Sequence, residues 1–358
     1  MIDITELKAK LAGFDVVCTF TEGGVPWTWL LRRAHRDGVT KPWPYAKSGL
    51  GEWTVEGAPC LPGGHKNAAR HPHLYVKASV RLYDDAIRVE LAIENPWLDA
   101  VDLTYDLKIT ETPADPSGSH VSIVKLDRKA VTHGKWMRAR QVIWIGTPHE
   151  EVAPFDLAAL KASGLVPSYL DVPVASNVID NFLSKWEQAD RDGLSFDLGL
   201  WTEYEPSTGG RDELGLLPAW TAAALVSQDQ RLLQAVVEND ALFNFPIYVR
   251  DRATLKPISV ATHPDLVLSQ PDTPAGLTPR RWDLQHCPAA HWAGWILTGS
   301  PFFADGVAMH ANWATLNRNA TYREHGKGIM VGPHSAVRAE AWAMRSLALA
   351  AQLPEEVS

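Results

Sequence analysis

A change of period along the chain constrains its fold more than any other feature. Over residues 1–150 apolar side chains recur at every second position. Val76, Ala78, Val80 and Leu82 alternate with Lys77, Ser79, Arg81 and Tyr83. After a turn at Asp84-Asp85, Ile87, Val89, Leu91 and Ile93 alternate with Arg88, Glu90 and Glu94. Beyond Asn95-Pro96 the pattern resumes as Val101, Leu103, Tyr105, Leu107 and Ile109, and further strands fit Asp15–Thr21, His120–Leu126 and Arg138–Ile145. Successive strand residues point to opposite faces. The alternation therefore predicts an antiparallel meander covered on one side, its polar groups outward, closing into a β-sandwich.

From residue 213 onward helical spacing takes over. Glu213–Val226 and Gln230–Leu242, joined by Ser227-Gln-Asp229, predict an αα-hairpin. Pro288–Leu297 and Phe302–Asn317 predict a second, with Ser300 as N-cap and Pro301 at the first helical position. A last helix is expected over Ala336–Ala351. Residues 151–212 read as a crossing region with a short helix at Phe155–Ser163, the Pro-punctuated run Val166–Val174 and an amphipathic helix at Asn177–Arg191. The expected chain is multidomain β + α: a sandwich over 1–150, the crossing region, and helical hairpins over 213–358. Long irregular stretches, Pro246–Arg281 and Asn319–Pro333, read as functional loops. Hairpins alternating with long loops suggest an α/α toroid. About five helices follow residue 213, fewer than a closed ring of six hairpins needs, so a partial toroid is expected.

The joint between the two patterns, Tyr204 to Trp220, concentrates polar chemistry: a tyrosine, two glutamates, Gly209-Gly210 and Arg211-Asp212 just before an alanine-rich helix. Composition limits what such a joint serves. A net charge of −8 argues against nucleic acid as the main partner, leaving only a local basic patch at Arg32, Arg33 and Arg36. No uninterrupted apolar run reaches about 18 residues, so no membrane partner is expected. The N-terminus lacks the pattern of a secretion signal, and the expectation is cytoplasmic synthesis. The cysteines Cys18, Cys60 and Cys287 are widely spaced and odd in number, which suits a reducing compartment and small buried hydrophobes. Tryptophan is in excess, 15 against 9 Phe and 8 Tyr, and reads either as large packing contacts or as walls that stack on sugar rings.

Several blocks resemble a group of uncharacterised bacterial and phage-encoded proteins. They are Arg140-Gln-Val-Ile-Trp-Ile-Gly-Thr-Pro, Leu160-Lys-Ala-Ser-Gly-Leu-Val-Pro-Ser-Tyr and Thr208-Gly-Gly-Arg-Asp-Glu-Leu-Gly-Leu-Leu-Pro-Ala-Trp. Tyr248-Val-Arg-Asp-Arg, Trp282-Asp-Leu-Gln-His-Cys-Pro and Val337-Arg-Ala-Glu-Ala-Trp continue the likeness. In that group a β-sandwich precedes an α/α-toroid of the six-hairpin glycosidase and polysaccharide lyase type. Its members run longer, so the resemblance implies a chain lacking the second half of the toroid. It implies a carbohydrate-active protein on an acidic polysaccharide, with lyase ahead of hydrolase. The rival class is a non-catalytic virion or tail component that keeps the scaffold. An open half-ring would leave an apolar flank, and self-association or a partner chain is expected to cover it.

A lyase needs a group that neutralises the substrate carboxylate, a base and an acid. Tyr204, His286 and Arg338 are the candidates, with Asp283 added by its i,i+3 spacing to His286. A hydrolase needs two carboxylates ~5–5.5 Å or ~6.5–9.5 Å apart, and Glu203, Glu205, Asp212, Glu213 and Asp283 supply them. Glu203, Arg211, His263, Trp282 and Trp342 are candidate substrate-binding residues. Arg338, Trp342 and Arg345 share one helical face, which reads equally as an acid-sugar platform or as a polar helix contact. Pro288 would then sit in the first turn of its helix, with Asp283 just before it. His65, His71 and His73 form a loose cluster that reads as an exposed loop, and neither a metal nor a cofactor is expected.

Overall fold

Among the described residues, the first part of the chain forms nine strands in two antiparallel sheets. The structure is a computed structural model and describes residues 9, 11–37, 40–43, 45, 51–62, 68–113, 122–191, 198–201, 211–268, 284–327 and 337–355. The chain divides into two compact units, Met1–Glu150 and Glu151–Ser358.

In the first unit β1 (Phe14–Glu22) and β2 (Val25–Leu30) form a hairpin, followed by the short helix α1 (Leu31–Asp37). Then come β3 (Lys41–Trp43), β4 (Gly51–Gly57), β5 (Tyr75–Leu82), β6 (Ala86–Glu94), β7 (Leu103–Pro113), β8 (Ile123–His133) and β9 (Arg138–Gly146). The sheets run β2-β1-β7-β8 and β3-β4-β5-β6-β9. The strands expected at β5, β6, β7 and β9 form, but not as one meander: β7 leaves β6 and pairs with β1 and β8 in the other sheet.

The expected outward polar face is also wrong for β5 and β6. Arg81, Arg88, Glu90 and Glu94 are as buried as the valines between them. Charge is tolerated there because strand register places opposite signs within reach. Arg81 donates to Glu52 from Nε at 3.1 Å and from Nη2 at 2.8 Å. Glu90 takes Arg88 Nη2 at 3.1 Å, Arg140 Nε at 2.6 Å and the Ser79 hydroxyl at 3.2 Å. Arg138 pairs with Glu94 at 3.2 Å. Deeper in the same unit, His133 lies between the Tyr105 hydroxyl (2.8 Å) and the Met137 carbonyl (3.0 Å), and burial pushes its pKa down to about 4.

The second unit is helical: α2 (Leu157–Ala162), α3 (Ser176–Gln188), α4 (Ala219–Ser227), α5 (Gln230–Ala241), α6 (Trp292–Thr298), α7 (Pro301–Leu316) and α8 (Val337–Ala350). Both predicted hairpins are present, α4–α5 and α6–α7. Ser300 caps α7 by accepting from the Phe302 N–H at 3.1 Å, and Pro301 is its first residue. Two helix starts lie four or more residues later than expected. Pro218 sits at the cap of α4 with extended ψ (146°), and a residue preceding proline is disfavoured in helical geometry, so the helix begins at Ala219 rather than Glu213. His291 caps α6 in the left-handed region (φ 65°), which leaves Pro288 outside the helix. Its ring lies so close to Gly306 on α7 that a Cβ there would come within 2.5 Å of it.

Tryptophan is spent mainly on packing, since eleven of the described tryptophans are buried. Among the described residues no helix is long and apolar enough to cross a membrane.

Candidate functional site

The described part of the joint forms one wall of a cleft in the helical unit. Arg211, Asp212, Glu213 and Trp220 line it together with Phe182 and Lys185 from α3 and Leu200, around a volume of about 320 Å³. That lies at the lower end of the range, about 300–1,000 Å³, usual for ligand pockets. Each wall has a local cause. Phe182 and Lys185 are three apart on α3 and so share a face, and Trp186 anchors that helix against Ala235 and Leu242. Leu200 is fixed by its N–H to the Asn239 side-chain oxygen at 2.7 Å. The preceding Gly199 (φ +59°) permits that approach, since a Cβ there would fall 2.4 Å from the same oxygen. The 211–219 turn closes on itself through Leu214 N–H to the Arg211 carbonyl (3.2 Å) and Ala219 N–H to the Asp212 carbonyl (2.6 Å).

The cleft alternates charge over an aromatic floor. Lys185 pairs with Asp212 at 3.1 Å and Arg211 with Glu213 at 3.2 Å. The first pair is half exposed, the second almost enclosed. Trp220 and Phe182 meet edge-on beneath them, and the buried Trp220 indole N–H has no hydrogen-bond acceptor among the described residues. A buried donor without an acceptor is costly, by roughly 1–3 kcal/mol, unless something else supplies the acceptor.

Of the residues selected from sequence, Arg211, Asp212 and Glu213 line this cleft among those described. Glu203, Tyr204, Glu205, Trp282 and Asp283 lie outside the described residues. His286 is buried in the short 3₁₀ turn Leu284–His286. Arg338 is partly buried in the first turn of α8. His263 pairs instead with Asp251 at 3.3 Å and lies 2.9 Å from the Thr262 hydroxyl. At its C-terminal end the face shared by Arg338, Trp342 and Arg345 turns inward. Arg345 is buried, its guanidinium 4.9 Å above the Trp342 ring, with Nη1 donating to the Gly215 carbonyl (2.5 Å) and Nη2 to the Cys287 carbonyl (2.6 Å). Of that face's two readings, this favours the polar helix contact.

Lys185, Phe182 and Leu200 were missed as site residues. The stripe Phe182–Trp186 flagged α3 as amphipathic, and a lysine beside that stripe was the available signal.

Cys287 and several histidines are buried. His71 is buried, contrary to the exposed loop expected of it. Its Nδ1 accepts from the backbone N–H of His73 (3.1 Å) and Leu74 (2.8 Å), while Nε2 faces Glu22 at 3.2 Å. Both ring nitrogens are thus engaged within the protein. His65 lies outside the described residues. Cys287 is fully buried, with Sγ 3.0 Å from His310 Nε2 and 3.5 Å from the Ser346 hydroxyl. Burial, reinforced by the Arg345 guanidinium, pushes His310 down to about 3, so that imidazole is neutral. Asp240 shows the opposite shift: burial pushes its carboxyl up to about 7, partly offset by backbone N–H donors including Gly294 at 2.9 Å.

Comparison with known proteins adds no relationship: no family model, no curated protein and no solved structure matches this chain.

Proposed function

We propose that the helical unit recognises carbohydrate, with the cleft between α3 and the 211–220 segment as its site. The observation that carries this reading is the composition of that cleft. A sugar ring presents hydroxyls around an apolar C–H face, and here two cations and two carboxylates surround an indole and a phenyl ring. Lys185 and Arg211 favour an acidic glycan, because an incoming carboxylate replaces Asp212 or Glu213 as their partner. The sheets as layers of a sandwich and the helices as part of an α/α toroid belong to the same reading, together with the resemblance to six-hairpin proteins.

Within it, β-elimination ranks ahead of hydrolysis, with Arg211 neutralising the uronate and Tyr204 as the base or acid. The test is a panel of acidic and neutral polysaccharides, monitored by calorimetry and for unsaturated, ultraviolet-absorbing ends. Expected is saturable binding of an acidic glycan that Lys185→Ala and Arg211→Ala each weaken. The reading fails if no glycan binds.

A non-catalytic role, as in a virion or tail component, is the second reading. It is favoured by the absence of histidine and tyrosine from the cleft wall among the described residues. Binding without any new reducing or unsaturated end selects it. Self-association remains part of the proposal, since Val337 (85% exposed) and Met344 (63%) lie open on α8. Sedimentation that stays monomeric at all concentrations removes it.

A further inference from the structure

Arg345 stands outside the cleft, yet it is joined to the segment that builds one wall of it. The guanidinium reaches from α8 to the Gly215 carbonyl at 2.5 Å and to the Cys287 carbonyl at 2.6 Å. Gly215 occupies the middle of the turn that begins with Arg211, Asp212 and Glu213 and ends at Trp220, and its φ of +138° is accessible mainly to glycine. The turn has few internal ties: Leu214 N–H to the Arg211 carbonyl and Ala219 N–H to the Asp212 carbonyl. Neither engages the Gly215 carbonyl, which Arg345 takes. The cation is itself well held. It is buried, its plane lies over Trp342, and its second nitrogen also approaches Cys287 Sγ at 3.6 Å.

A planar guanidinium with two donors on one edge suits two carbonyls at once. A lysine ammonium on a flexible stem has no such fork. Cations of this kind hold irregular backbone by supplying donors that no helix or strand provides there.

We infer that Arg345 is the positioning residue of the cleft: it ties the 211–217 turn to the Cys287 carbonyl and so sets where Arg211, Asp212 and Glu213 stand. The inference rests on the carbohydrate reading for its ligand, but the tie itself is tested without one. Side chains displaced by even part of an ångström lose much of their grip on a bound group, because recognition by hydrogen bonds is steep in distance and angle.

The experiment pairs Arg345→Met, which keeps the length of the stem and removes both donors, with Arg345→Lys and with Lys185→Ala. Amide hydrogen exchange over residues 211–219 reports the tie, and calorimetric titration with the acidic oligosaccharide that wild type binds best reports the site. Expected in Arg345→Met is faster exchange over 211–219 and an affinity lower by about tenfold, with Arg345→Lys only partly restored. Lys185→Ala is expected to lower affinity while leaving exchange unchanged, which separates a contact from a positioning effect. Unchanged exchange in Arg345→Met overturns the inference whatever the glycan does. Faster exchange with wild-type affinity overturns it as well. If wild type binds no glycan, the carbohydrate reading falls, and the exchange arm alone decides whether Arg345 holds the turn. Should Arg345→Met fail to fold, Arg345→Lys carries both measurements: slower exchange than wild type, or equal exchange and affinity, counts against the inference.

Discussion

Both units bury charge, and the most deeply buried cations of each find different partners. In the β unit the buried cations meet carboxylates: Arg81 on Glu52, Arg88 and Arg140 on Glu90, Arg138 on Glu94. In the helical unit Arg345 and Arg323 meet backbone carbonyls, those of Gly215 and Cys287 for the first and of Arg318, Pro264 and Leu266 for the second. Arg250 lies between the two habits, with Asp305 at 2.7 Å and the Leu255 carbonyl at 3.1 Å. The difference follows from what each backbone leaves unmet. A sheet ladder consumes its own carbonyls, so a charge buried on its face has only side chains to pair with. Long irregular segments between helices leave carbonyls unpaired, and a guanidinium with five donors is the most economical group to satisfy them.

The comparison breaks most sharply at Arg81. Replacing it by Ala leaves the Glu52 carboxylate buried without the guanidinium that pairs with it, and the β unit is expected to lose about 3–5 kcal/mol in urea unfolding. The double change Arg81→Met with Glu52→Leu removes both charges and is expected to recover most of that loss. A double variant no more stable than the single one would mean that the ladder is more than a set of pairs.

Next in size comes pH. His133 and His310 are held near 4 and 3, below their ordinary 6.5. Their stabilising terms are therefore present above about 6.5 and are lost as pH falls through those lower values. Acid is expected to weaken both units. Asp240 runs the other way: raised from 3.8 to about 7, its term is present below about 3.8 and lost as pH rises through about 7. In the helical unit this alkaline loss is assigned to Asp240, and Asp240→Asn is expected to remove it. Hydrogen-exchange protection of the two units, followed at about pH 5 and about pH 8 in wild type and variant, checks the sign.

Smaller effects sharpen the picture. Ser300→Ala removes the cap on α7 and is expected to lower the helical unit's stability by about 1 kcal/mol, seen in thermal unfolding, with no change in the β unit. Lys185→Ala removes a half-exposed pair whose worth to stability is below about 1 kcal/mol. Its melting temperature is expected to stay near wild type while glycan affinity falls, the pattern of a site residue rather than a scaffold residue.

The alternation of Val76 to Leu82 and of Ile87 to Ile93 was enough to find β5 and β6, because the period of two survives burial on both faces. It did not reveal that Arg81 and Glu90 are inside. Alternation reports two faces, not which of them meets water, and that depends on what else the chain brings over the sheet. The strand β3, three residues long, carried too few residues to show a period. On the helical side Ser300-Pro301 and the Ser227–Asp229 connector were readable because caps and turns are local chemistry. The start of α6 was not, since the left-handed His291 depends on its fit beside Gly306 on another helix.

Of the candidate site, sequence located the joint and supplied Arg211, Asp212 and Glu213 by their concentration of charge. It left Arg345 open between two readings, because helical spacing groups Arg338, Trp342 and Arg345 on one face without saying which end of the face points inward. Residue types and their periods fixed the mixture of sheet and helix, the hairpins and the cap on α7, all of which arise from interactions within a few positions. Only the tertiary structure chose the companions of each charge: Glu52 for Arg81, Lys185 for Asp212, two distant carbonyls for Arg345. Such pairings join residues tens to more than a hundred positions apart, and no local period carries that information.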